Sequence, residues 1–93
     1  MIESFKDRET EKIFHRQRSR KLPQDIHRRA YAKLLQIHRA QTVSDLNALP
    51  GNRFEWLKGD RQGQCSIRVN DQWRVCFRWD AGHAYEVEIV DYH

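Results

Sequence analysis

Cys65-Ser66-Ile67-Arg68-Val69-Asn70-Asp71-Gln72-Trp73-Arg74-Val75-Cys76-Phe77 is the stretch on which the fold of this chain turns. Two runs rich in β-branched and aromatic residues flank a short polar turn, the pattern of an antiparallel hairpin. Side-chain alternation sets its register. A two-residue Asn70-Asp71 loop would put Ile67 opposite Arg74, whereas a three-residue loop puts Val69 opposite Trp73 and Ile67 opposite Val75, apolar against apolar. The second register is therefore expected. It gives Cys65, Ile67, Val69, Trp73, Val75 and Phe77 to a core face and sends Ser66, Arg68, Arg74, Cys76 and Arg78 to the other, with arginines side by side.

Outward from the hairpin, Phe54-Glu55-Trp56-Leu57 and Tyr85-Glu86-Val87-Glu88-Ile89 read as further strands, and the second hairpin arm extends to Trp79. The connections Gly59–Gly63, Asn70–Gln72 and Asp80–Gly82 are short and turn-like, so the four strands form an antiparallel meander. The period changes towards the N-terminus. Ile26, Ala30, Leu34 and Ile37, joined by Tyr31 and Leu35, line one face of a helix that starts after Leu22-Pro23-Gln24-Asp25 and ends near Ala40. Thr42 with Asp45 three residues on is a capping arrangement for a short helix carrying Val43, Leu46 and Leu49, stopped by Pro50-Gly51. A weaker helix is expected from about residue 8 to 18, anchored by Ile13 and Phe14, after a short first strand at Ile2 to Phe5. The fold class is α+β, with helices covering the apolar face of the sheet.

The chain has 93 residues, enough for one domain, 1–93, with one core. That size leaves little room for the deep pocket of a large-cofactor enzyme. Its net charge of +4 is unevenly spread: residues 1–50 hold 11 Lys/Arg against 6 Asp/Glu, and residues 51–93 hold 6 against 7. A basic half of this kind faces either solvent or a polyanionic partner. No apolar run reaches membrane-spanning length and no secretory leader is visible, so a cytoplasmic protein is expected. Cys65 and Cys76 have no metal-ligand or disulfide-framework spacing.

Chemistry is expected on the polar face of the sheet. Arg68 and Arg74 are cross-strand neighbours, an arrangement that costs energy unless anions offset it. Two offsets are open: a phosphate backbone, which fits the guanidinium fork, or pairing with Glu86 or Glu88 on the next strand. Lys58 follows the first sheet strand, where its ammonium can reach over the same face or serve as an ordinary turn lysine. Asp91-Tyr92-His93 ends the chain at the sheet border, and histidine exchanges protons near neutral pH. Trp56 and Trp79 suit either base stacking or packing. His15, His27, His38 and His83 read as surface residues.

At Leu57-Lys58-Gly59-Asp60-Arg61, Ser66 to Phe77 and Val87-Glu88-Ile89-Val90-Asp91-Tyr92-His93 the chain resembles the HigB-type toxins of the RelE/ParE superfamily. The resemblance spans nearly the whole chain. It implies a curved antiparallel sheet of the RelE-like, microbial-RNase type and a ribosome-dependent endoribonuclease that cuts mRNA in the ribosomal A site without metal or other cofactor. It implies as partners a HigA-type helix-turn-helix antitoxin, the 70S ribosome with its rRNA, and mRNA. Operator DNA is reached only through the antitoxin complex, and no membrane is involved. By this resemblance Arg74 stabilises the charged phosphorane, Lys58 is a second cation, His93 carries the proton, Tyr92 stacks on or orients a base, and Asp91 orients its neighbours. Glu55 stands where one branch of the family has an active-site histidine, so its carboxylate either takes over proton acceptance or carries no role. Arg68 is an RNA-binding candidate on its strand. Arg16 and Arg18, within the basic half, are candidates to grip ribosomal RNA, and that half could equally dock the antitoxin. Two other functions remain open: a ParE-like gyrase inhibitor and a non-catalytic nucleic-acid-binding module.

Overall fold

A computed structural model describes residues 1–92 as three helices packed on one face of a four-stranded antiparallel sheet. The helices are α1 (Arg8–Phe14), α2 (His27–Arg39) and α3 (Val43–Asn47); the strands are β1 (Glu55–Trp56), β2 (Gln64–Arg68), β3 (Trp73–Asp80) and β4 (His83–Asp91), in sheet order β1-β2-β3-β4. The α+β expectation and the meander both hold. Ile67 lies opposite Val75 and Arg68 opposite Arg74, with Val69 N–H donating to Trp73 O across the three-residue turn. Asn70 Oδ1 accepts from both Gln72 N and Trp73 N, which satisfies the turn's inward-pointing donors.

The core forms where Ile26, Ala30, Leu34 and Ile37 of the α2 region and Leu46 of α3 meet Cys65, Ile67, Val69, Val75, Phe77 and Val87 of the sheet. Ile37 and Leu34 are fully enclosed, as their spacing of three and four residues requires. Of the apolar residues expected on the α3 segment, Leu46 is buried, Val43 is half-buried and Leu49 is exposed, because the chain leaves the helix layer at Ala48.

The capping arrangement is present in full. Asp45 Oδ2 accepts from the Gln41 and Thr42 amides, and Thr42 Oγ1 accepts from Asp45 N. These backbone donors, Gln41 first, hold the Asp45 carboxyl below its usual pKa. A lowered native-state pKa adds stability that is complete above the unfolded-state pKa and is lost as pH falls through the lower, folded value. Asp45→Asn therefore lowers Tm at pH 7, and its deficit against wild type shrinks as pH falls below about 4, measured by thermal melts at a series of pH values.

The first helix ends at Phe14, four residues short of its expected limit. Arg16 adopts a left-handed backbone (φ 60), with Arg16 N–H donating to Ile13 O and Gln17 N–H to Lys12 O, a Schellman closure built on arginine rather than glycine. Ile13 is buried and Phe14 half-buried, and the next apolar residue, Leu22, comes too late to support further turns. Asp7 caps the start by accepting from Thr10 N, and Thr10 Oγ1 in turn accepts from Ile89 N, which fastens α1 to β4.

The expected first strand is an interrupted one. Ile2 and Phe5 form isolated parallel bridges to Ala84 and Val87 along the free edge of β4. His38 and His83 serve this attachment: His38 Nδ1 accepts from Ile2 N, and His83, its side chain 42% exposed, has Nδ1 2.8 Å from the Glu3 carboxylate. His27 likewise sits 3.0 Å from Leu22 O, while His15 is exposed as expected. Trp79 packs against the core and Trp56 is exposed.

The sheet's second face is drier than alternation alone suggests. Ser66, Arg74 and Cys76 are all buried there. Between Cys76 and Arg78 the register shifts, with Glu86 and Val87 of β4 opposite the single Phe77, and Glu86 takes φ 54.

Candidate active site

The predicted juxtaposition of Arg68 and Arg74 is present, and neither expected carboxylate relieves it. Arg68 pairs with Asp71 in its own turn, and Arg74 Nε lies 3.8 Å from Glu55 on β1. Pairing with Glu86 or Glu88 is thereby overturned. The β4 bulge directs Glu86 to Arg78 at 3.7 Å, and the buried Glu88 carboxylate forms an ion pair with Lys6 at 3.2 Å and accepts from Arg61 at 3.3 Å.

Arg74 is only 8% exposed, so its guanidinium needs oxygen partners. Nε donates to Ser66 Oγ at 2.8 Å, and Nη2 donates to Ser66 O at 3.3 Å and to the Arg53 carbonyl. Tyr92 lies over the group, with its ring centroid 5.6 Å from the guanidinium carbon. Asp91 and Tyr92 come here because Tyr92 N–H donates to Gln72 O, extending the β3–β4 pairing, and Gln72 Nε2 donates to Asp91 Oδ2. The Tyr92 hydroxyl is held above the ordinary phenol range, by desolvation first and then by Glu55. Arg53, Arg68, Asn70, Asp71, Arg74 and Tyr92 line a pocket of about 280 Å³. Its charge and its aromatic edge suit a phosphodiester with an adjoining base.

Arg74, Arg68, Glu55, Tyr92 and Asp91 thus gather at one end of the sheet. Lys58 does not join them by a direct contact among the described residues. It is exposed at the start of the 3-10 turn Gly59–Arg61, and because β1 ends at Trp56 no alternation constrains its face. His93 lies outside the described residues. Arg53, Ser66 and Asn70 escaped the sequence reading as site residues. The hairpin register already put Ser66 on the Arg74 face; Arg53 carried no local signal, because its left-handed backbone (φ 42) is one that glycine or asparagine usually takes.

Arg16 and Arg18 lie on the helix side of the molecule. With Arg28, Gln24, His27 and Tyr31 they line a cavity of about 530 Å³, and Arg16 stacks on Tyr31 at 5.2 Å. No ion pair joins Arg16, Arg18 or Arg28 to a carboxylate among the described residues. Arg28 also lines a neighbouring cavity that reaches Asn70, and Asn70 lines the Arg74 pocket. Arg28 and Asn70 thus stand between the basic surface and the Arg74 pocket, each lining two neighbouring cavities.

Burial pushes the Cys65 thiol up to about 12 and the Cys76 thiol to about 11, so both are protonated at neutral pH, and they occupy opposite faces of the sheet. No group of three or more His, Cys, Asp or Glu among the described residues is placed to hold a metal ion, and no helix among them is long and apolar enough to cross a membrane.

Residues 3–93 match the family described as the RelE-like toxin of type II toxin-antitoxin system HigB. A protein named Toxin HigB-1, from Vibrio cholerae serotype O1, is 44% identical over 85 residues, 90% of each chain. Another, named Endoribonuclease HigB, from Proteus vulgaris, is 33% identical over 93 residues, the full length of both.

Proposed function

The chain belongs to the HigB family of RelE-like toxins of type II toxin-antitoxin systems, and from that premise we propose that it is an endoribonuclease cutting mRNA in the A site of the translating ribosome. As such a toxin it has an antitoxin partner. We assign that partner the HigA type, with operator DNA contacted only through the toxin-antitoxin complex, and we place the activity in the cytoplasm, where translation occurs. The observation that carries the reading is Arg74: a nearly buried guanidinium, fixed by protein oxygens and bordering a pocket shared with Arg68 and Tyr92.

The proposed chemistry is an attack of the RNA 2′-oxygen on the adjacent phosphorus. The 2′-O–P bond forms, the P–O5′ bond breaks, a base takes the 2′-proton and an acid returns one to the leaving 5′-oxygen. Charge grows on the non-bridging oxygens, and a preorganised guanidinium stabilises it without reorganising at the moment of reaction. Arg74 has that role, with Lys58 as a second cation. His93 moves the proton, Tyr92 stacks on or orients a base and Asp91 orients the C-terminal groups. Arg68 binds an adjoining phosphate. Glu55, beside Arg74 and the Tyr92 hydroxyl, is the alternative proton acceptor. The cut ends test this scheme: a 2′,3′-cyclic phosphate and a 5′-hydroxyl are expected, and 2′-deoxy substitution at the cut nucleotide abolishes cleavage. A 5′-phosphate product contradicts it.

Arg16 and Arg18 grip ribosomal RNA in this account, supported by their lack of carboxylate partners. Phosphate contacts release counterions, so ribosome association weakens steeply with salt. Arg16→Glu with Arg18→Glu lowers the slope of log affinity against log salt by roughly one to two, measured by cosedimentation. An unchanged slope removes these residues from the interface.

A further inference from the structure

Arg53 is an outlier that the proposed chemistry does not use. It follows the 3-10 turn Pro50–Asn52 with φ 42 and ψ 55, a left-handed conformation that side-chain-bearing residues rarely adopt and that persists only where surroundings enforce it. The enforcing contact is next to it. Asn52 is fully buried, its Nδ2 donating to Leu46 O at 3.1 Å and its Oδ1 accepting from Lys33 Nζ at 2.6 Å, so the helix layer fixes the peptide that enters Arg53. The left-handed turn then aims the Arg53 carbonyl at Arg74 Nη2.

Ser66 completes the arrangement from the neighbouring strand. Fully buried on β2, it offers Oγ to Arg74 Nε at 2.8 Å and its carbonyl to Nη2 at 3.3 Å. Among the described residues Nη1 makes no hydrogen bond, and Arg74 borders the pocket that Tyr92 and Arg68 share. Hydrogen bonds at Nε and Nη2 restrain the long side chain and leave Nη1 as the nitrogen available to an occupant of the pocket that Arg74 lines.

We infer that Ser66 and the left-handed Arg53 peptide are positioning residues, a socket that holds Arg74 in the orientation its phosphate contact requires. The inference rests on Arg74 acting at the scissile phosphate. Neither residue needs to touch the reacting atoms: Ser66 acts through Nε, and Arg53 through Nη2. The Arg53 side chain adds charge to the pocket independently of its carbonyl.

The test combines spectroscopy and kinetics on the full chain. The Arg74 Nε–H signal, assigned by its disappearance in Arg74→Ala, is slowly exchanging in the wild type because its donor is buried and bonded. In Ser66→Ala it exchanges faster or broadens, kcat on ribosome-bound mRNA falls roughly 10–100-fold, and KM changes little. Ser66→Thr, which keeps the hydroxyl, restores both. Arg53 supplies an independent pair that leaves the sheet intact: Arg53→Gly tolerates the left-handed turn, keeps the signal and mainly raises KM, whereas Arg53→Val disfavours that turn and lowers kcat. An unchanged Nε–H signal in Ser66→Ala overturns the socket. A lost signal with unchanged kcat, while Arg74→Ala is inactive, overturns the positioning role and leaves the function standing. Full activity in Arg74→Ala overturns the reading beneath both.

Discussion

Arg74→Ala lowers the single-turnover rate of mRNA cleavage by roughly 10²–10³-fold, the loss found when one preorganised donor to a developing oxyanion is removed. The protein is expected to fold and to keep most of its ribosome binding, because the proposed salt-sensitive contact is the basic surface around Arg16, Arg18 and Arg28. Arg74→Lys does not restore the rate. One ammonium cannot span Ser66 Oγ, Ser66 O and the Arg53 carbonyl while also presenting a donor to the pocket. Cleavage and cosedimentation measured on the same preparations separate the outcomes: activity lost with binding retained marks a catalytic group, whereas both lost in proportion mark a residue that only grips phosphate.

The largest stability effect is expected at Phe77→Ala. Phe77 is fully buried on the core face of β3, opposite Cys65 and edge-on to Trp79 at 6.3 Å. Truncating an aromatic side chain in such a setting costs about 3–5 kcal/mol, from lost burial and from the cavity left behind. A domain of this size has about 5–15 kcal/mol to lose, and each kcal/mol corresponds to about 4–8 °C in Tm. Thermal melts should show a drop of at least about 12 °C. Trp56→Ala provides the contrast, since Trp56 is 54% exposed on the edge strand and its loss leaves no cavity. A Phe77→Ala protein melting within about 4 °C of wild type would mean that the sheet and helix layers are not held by this core.

Legibility followed the range of the interactions. The hairpin register could be read because only a three-residue turn sets Ile67 against Val75, and α2 because Ile26, Ala30, Leu34 and Ile37 keep one face. The Thr42–Asp45 cap was visible for the same reason: all its partners lie within a few residues. What escaped depends on contacts between distant segments or on unusual backbone. Arg16 ends α1 in a left-handed conformation normally marked by glycine, and Glu86 does the same at the bulge that turns its side chain to Arg78. Glu88 was a candidate partner for Arg74, but Lys6 and Arg61 arrive from remote parts of the chain and take its carboxylate. At the site the facing of Arg68 and Arg74 followed from the hairpin register, and the place of Tyr92 at the sheet border from the end of the last strand. The Arg53 carbonyl did not, since its direction is decided by the burial of Asn52 beneath the helices.

Mapping cleavage by primer extension, with purified protein in a translation reaction and with the same mRNA free of ribosomes, both in the presence of chelator, tests the central claim most directly. Cuts at fixed positions within codons, present only with translating ribosomes, surviving chelation and absent in Arg74→Ala, are predicted. Protein that arrests growth yet leaves the mRNA intact under every condition would contradict ribosome-dependent cleavage and point instead to a bound target such as gyrase.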